Sequence, residues 1–106
     1  MDLERAIVQI IANAGESRSK ALLALEKVKD GDYEAARALL EESREADLKA
    51  HNSQTELIQQ ELRQENKEPV SLLMVHAQDH YMSSQLARDI VGQLVDIFEA
   101  RDQGNK

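Results

Sequence analysis

At 106 residues the chain has room for one small domain, and with one Phe, two Tyr and no Trp its core must be largely aliphatic. A net charge of −7, with basic clusters as short as Arg18-Ser19-Lys20, argues against a nucleic-acid partner, which requires grouped Lys and Arg to neutralise phosphates. The absence of Cys removes disulfides and thiolate zinc sites and fits a reducing compartment. No basic-then-apolar leader opens the chain and no apolar run reaches membrane-spanning length, so a cytoplasmic protein without membrane insertion is expected.

Gly is scarce, Pro69 is the sole proline, and strong helix formers dominate, which predicts an all-α fold. Leu3, Ile7, Ile10, Ala14, Ser17, Ala21, Leu25 and Val28 recur at steps of three and four, giving a first helix over about residues 2–30, with Ile11, Leu22 and Leu23 widening its stripe. Gly15 falls mid-pattern, where a kink or a close helix contact is expected. In Asp30-Gly31-Asp32, Gly31 suits the position after a helix end and Asp32 can cap the next helix.

A second helix follows over about 32–65, carrying Ala36, Leu39, Leu40, Ala46, Ala50, Leu57, Ile58 and Leu62. Ser43, Asp47, His51 and Gln54 interrupt this stripe, and a polar insert in a core-facing seam is costly unless paired or wet. Asn66-Lys67-Glu68-Pro69 is the second break. The third helix spans about 70–101, and residues 102–106 read as a frayed tail.

Short connections make consecutive helices antiparallel, so residues 1–106 form a single three-helix, up-down-up bundle. The third helix is apolar on two faces. Leu73, Ala77, Ala87, Ile90, Val91, Leu94 and Phe98 form the stripe expected against the other helices. Leu72, Val75, Asp79, Met82, Ser83 and Leu86 form another, which a monomer would leave exposed. Self-association through this face is the simplest resolution. It would gather copies of Asp79 on an axis, where a shared cation or protonation relieves their repulsion.

The stretch His76-Ala77-Gln78-Asp79-His80 concentrates the chemistry, because residues three and four apart on a helix are neighbours. One reading is a metal site: His76 and His80 with Asp79 between them parallel the H-x-x-E-H metallopeptidase helix. Such enzymes, however, need a third ligand and a cleft from a larger fold. A second reading makes the histidines amphipathic helix-boundary residues of a non-catalytic adaptor. A third is nucleophilic catalysis, since a neutral imidazole can accept and pass on a phosphoryl group, with Gln78, His80, Gln54 and Ser53 as nearby donors.

The run Val75-His76-Ala77-Gln78-Asp79-His80-Tyr81-Met82 resembles the signature of the lactose/cellobiose (chitobiose) family of IIA components of the bacterial phosphoenolpyruvate-dependent sugar phosphotransferase system. Asn13-Ala14-Gly15-Glu16-Ser17-Arg18-Ser19-Lys20 is similar to that family's first-helix A-G-x-x-R-S segment. Ala50-His51-Asn52-Ser53-Gln54-Thr55 is similar to its second-helix A-H-x-x-Q-T. The likeness covers nearly the whole chain. It implies a homotrimer of three-helix subunits and a phosphohistidine carrier. His76 would be phosphorylated at Nε2 by the carrier HPr and discharged to a cysteine of the IIB component, with the membrane IIC component reached only indirectly.

The resemblance also implies that Asp79 binds one structural Mg2+ shared by three subunits. Gln78 and His80 would assist at the phosphoryl site, and His51 and Gln54 either line the same pocket or satisfy each other across the bundle. Arg18 serves a partner or phosphate site, or is a solvated charge. Tyr81 stands where the family usually has Leu, a change expected at the rim of the docking surface, and Asn52 lies beside His51. Which sugar the pathway carries is not encoded in a subunit that never touches it.

Overall fold

The computed structural model describes residues 3–63 and 69–104, and three helices account for nearly all of them: α1 (Leu3–Lys29), α2 (Tyr33–Leu62) and α3 (Leu72–Gly104). They form an elongated bundle of 60 × 19 × 19 Å. The α1–α2 reversal is built from three residues. Gly31, at φ 74°, donates to Val28 O at 3.0 Å, while Asp32 N donates to Lys27 O at 3.0 Å, the paired bonds of a Schellman cap. The Asp32 carboxylate then accepts from Ala35 N at 3.1 Å, so one residue closes α1 and caps α2.

Several sequence expectations shift. Helix α2 ends at Leu62, with Arg63 as its cap, short of residue 65; most of the second break lies outside the described residues. Helix α3 begins at Leu72, two residues later than expected, because Ser71 Oγ accepts from Met74 N at 3.1 Å and Ser71 O from Val75 N at 3.2 Å, which sets the first turn. At its other end α3 continues through Gly104. The expected fraying from 102 is overridden because Tyr33 Oη donates to Asp102 and Arg37 holds Asp96 and Glu99 at 3.0 and 2.8 Å. Gly15 lies in an uninterrupted helix, and a Cβ there would meet nothing within 4 Å, so no close helix contact explains it.

Two apolar clusters form the core. Ala6, Ile7, Ile10, Ala50, Leu57, Ala77 and Tyr81 fill one half, backed by Leu3, Ile11 and Met74. Ala21, Ala24, Ala36, Val91 and Val95 fill the other. Between them lies a buried polar layer of Ser17, Ser43, Asp47 and Ser84. Alanine at the inner positions lets the helices approach closely and leaves some larger neighbours outside: Leu22, Leu23, Ile58 and Leu62 are all exposed.

The core face of α3 is also displaced from the most apolar stripe. Ala77, Tyr81, Ser84, Val91 and Val95 point inward, whereas Leu73, Ile90 and Phe98 remain partly in solvent. Polar partners on α2 draw Tyr81 and Ser84 in, and the helix turns accordingly. The second stripe, with Leu72, Val75, Met82 and Leu86, is exposed along the bundle.

Candidate functional site

Two flanks of α3 carry different chemistry. On the flank facing α2 a ladder of polar contacts runs along the seam. Gln54 Nε2 donates to Gln78 Oε1, and His51 Nδ1 lies 2.9 Å from Tyr81 Oη. Ser84 Oγ donates to Asp47 Oδ1 at 2.8 Å and Arg88 Nη1 lies 3.2 Å from Asp47 Oδ2. The positions on α2, 54, 51 and 47, step backward as those on α3, 78, 81 and 84, step forward, which is the register of antiparallel helices. On the other side Ser43 Oγ donates to Ser17 O at 2.8 Å, tying α2 to α1. Each residue of the α2 polar insert thus has a partner on another helix, and the two that are buried, Ser43 and Asp47, are held by hydrogen bonds and the Arg88 ion pair.

This placement separates residues that the sequence had grouped. His51 and Gln54 do not satisfy each other; each pairs with α3 instead. Gln78 is two residues from His76 and leaves the helix about 200° around its axis, so it turns to α2 and away from the imidazole. Tyr81 is 4% exposed and sits in the core, not at a docking rim. Its phenol is raised from the usual range by burial and by the nearby Asp47 charge, partly opposed by Arg88. Gln85 Nε2 donates to its oxygen at 2.9 Å, and His51 Nδ1 is its second partner, the direction set by the histidine tautomer. Asn52 and Arg18 are exposed, and Ser53 is half-buried.

On the outer flank, His76 and His80 come together. Their Nε2 atoms are 3.0 Å apart, with ring centroids 4.4 Å apart and planes at 89°. One turn of helix sets this spacing. His76 is exposed and His80 half-buried. With both rings neutral, a single proton lies between the two Nε2 atoms, so one ring donates and the other presents a lone pair. His76 also borders an apolar groove with Leu72, Leu73, Val75 and Asp79. Asp79 is exposed and has no side-chain partner among the described residues. No group of three or more His, Cys, Asp or Glu able to hold a metal occurs among the described residues of one chain, so a peptidase-type zinc centre has no third ligand there.

Sequence reasoning located His76, Asp79 and His80 but missed Ser84, Arg88 and Gln85, the α3 half of the ladder. The signal was present in the insert of α2, which demanded partners without naming them.

An exposed imidazole pair on a helix flank, open to solvent, suits passing a group between proteins better than processing a small substrate. The chain belongs to the family of lactose/cellobiose-specific IIA subunits of the phosphotransferase system, whose model matches residues 5–99. It is 44% identical over 98 residues to the N,N'-diacetylchitobiose-specific EIIA component of Escherichia coli K12, covering 92% of this chain and 84% of that protein. The cellobiose-specific enzyme IIA from Bacillus anthracis superposes with a TM-score of 0.90 at 35% identity, covering 97% of this chain and 94% of that one. IIA(Chitobiose) in its solution complex with HPr, from the E. coli N,N'-diacetylchitobiose branch, superposes with a TM-score of 0.79 at 38% identity, covering 96% and 98%. The protein is therefore a phosphoryl-carrying component of a sugar phosphotransferase system. None of the helices, among the described residues, is long and apolar enough to cross a membrane.

Proposed function

We propose that His76 is the phosphoryl carrier, charged at Nε2 by phospho-HPr and discharged to the cysteine of a IIB component, in the cytoplasm. The observation that carries this reading is the His76–His80 contact at 3.0 Å on the exposed flank of α3. Attack requires a free lone pair on His76 Nε2, hence a proton on its Nδ1. In that tautomer His80 carries its proton on Nε2 and at rest donates it to His76; attack begins as this N–H turns off the lone pair and toward the incoming phosphoryl group. As the P–N bond in the donor breaks and the P–Nε2 bond forms, the donor imidazole leaves with the electron pair. The His80 N–H then lies within reach of a phosphoryl oxygen. A loose transition state asks little more than alignment and such a donor. Gln78 and Gln54 act one step removed, by gripping the opposite flank of α3.

Assembly is the second part of the proposal. The exposed stripe of Leu72, Val75, Met82 and Leu86 supports a parallel trimer about α3, with HPr and IIB docking outside it and the membrane IIC component served only through IIB. Asp79 lies on this stripe as an unpartnered oxygen ligand, which suits a hard cation. One carboxylate per chain is too few for Mg2+ alone, and three meeting on the axis, completed by water, fit one shared ion. Such an ion would neutralise the axial carboxylates and take no part in transfer.

The test is phosphorylation with phosphoenolpyruvate, Enzyme I and HPr. Wild type should gain a base-stable, acid-labile phosphate that His76→Gln does not. Undiminished labelling of the variant would overturn the assignment. Relatives named for chitobiose and for cellobiose share this fold, which fits a carrier whose sugar is chosen elsewhere.

A further inference from the structure

The same imidazole pair has a second capability. Two histidines one helical turn apart, with both Nε2 atoms turned toward each other, form a two-point chelate. We propose that His76 and His80 bind a borderline transition-metal cation of the zinc class, and that cation and phosphoryl group exclude each other at this site.

The geometry is close to what chelation needs. Zinc–imidazole bonds of roughly 2.0–2.1 Å at a tetrahedral angle place two ligand nitrogens about 3.3 Å apart. The Nε2 atoms lie 3.0 Å apart, a few tenths of an ångström short of that spacing, so the pair would open slightly by side-chain rotation to admit a cation between the two nitrogens. Each ring then carries its remaining proton on Nδ1. Ligand type selects the metal: imidazole nitrogen favours zinc and copper over magnesium and calcium, which take oxygen. Accessibility and charge are also suitable. His76 is exposed, Asp79 borders the same groove, and the chain carries a net charge of −7. With two protein ligands the remaining positions fall to water. Absent a third ligand and a cleft, the complex would block the nucleophile without becoming a hydrolase.

Exclusion follows from the lone pair. Phosphorylation at His76 Nε2 consumes the electrons that a cation would bind, and a bound cation occupies the nitrogen that must attack phosphorus. This second half rests on the phosphocarrier reading; chelation itself does not.

Zinc titration of the intact protein by calorimetry, in buffer containing excess Mg2+, tests both halves. One zinc per chain is expected, with affinity at least tenfold lower in His76→Gln and in His80→Gln and unchanged in His51→Gln. Circular dichroism would verify that the variants remain helical. If both outer-flank variants bind zinc as tightly as wild type, the site is wrong. Protein phosphorylated through the relay should lose zinc binding, and zinc should halt phosphorylation until a chelator is added. Retained zinc binding in the phosphorylated protein would overturn the exclusion and, with the chelate intact, direct suspicion to the phosphorylation site.

Discussion

Replacing Arg88 with Met should be among the most damaging single changes away from His76. Asp47 is 2% exposed, and its Oδ2 has no hydrogen bond, so the guanidinium at 3.2 Å is its main compensation. That close approach without hydrogen-bond alignment makes the pair chiefly Coulombic. Met keeps the apolar stem while removing the charge. It leaves a buried carboxylate with one donor, Ser84 Oγ at 2.8 Å. Breaking a buried ion pair by deleting one partner costs roughly 3–5 kcal/mol. Arg88's side chain is 20% exposed, which admits some water and points to the lower end, about 3 kcal/mol. For a domain of this size that corresponds to a fall in Tm on the order of 10–20 °C.

Urea unfolding followed by circular dichroism, at one fixed chain concentration because the proposed assembly would add to apparent stability, gives the number. The double variant Asp47→Leu/Arg88→Met should recover to within about 1 kcal/mol of wild type, since an apolar pair removes the desolvation cost of both charges. The single Ser84 hydroxyl proton, no longer shared with Asp47, would then go to Tyr81 O at 2.8 Å. A loss below about 1 kcal/mol in Arg88→Met, or a double variant no better than the single, would refute this account of the polar layer.

Asp32→Ala removes the carboxylate that accepts from Ala35 N and should cost about 1 kcal/mol, read as a lower urea midpoint with unchanged m-value. Tyr33 is held protonated by its hydrogen bond to Asp102, with lesser help from desolvation and the Asp102 and Glu99 charges, and its pKa is pushed up to about 12. Because the folded value lies above the unfolded one, the stabilisation is complete below about pH 10 and lost as pH rises through about 12. Absorbance at the tyrosinate band should show both tyrosines ionising late, and Tyr33→Phe should remove the ionisation near pH 12 while leaving that of the buried Tyr81. Asp79→Leu should leave the oligomer intact or tighter and insensitive to Mg2+ removal, because apolar side chains replace converging carboxylates. Light scattering that gives wild-type monomers with and without magnesium would exclude the axial role.

The sequence by itself determined the helical class, the first break and the meeting of His76 with His80. These depend on local rules: propensity, the Gly31-Asp32 cap and the neighbour relation at i, i+4. Its weaker readings were those in which hydrophobicity stood in for position. Leu22, Leu23, Ile90 and Phe98 looked like core and are exposed to differing degrees, while Ser17, Ser43, Asp47 and Ser84 are buried. A periodic pattern reports which side chains could be buried. It does not report that alanine at the inner positions will close the gap, or that a polar residue has found its partner on another helix.

Tertiary structure decided how α3 is rotated. Contacts from Gln54, His51 and Asp47 grip one flank of it at Gln78, Tyr81 and Ser84, and the other flank therefore presents His76 to solvent with the half-buried His80 beside it. No local spacing rule could assign Gln78 to one flank's partner and His80 to the other's, because the assignment depends on which helix packs where. The histidine pair was legible from local spacing; the exposure of His76 was a consequence of long-range pairing.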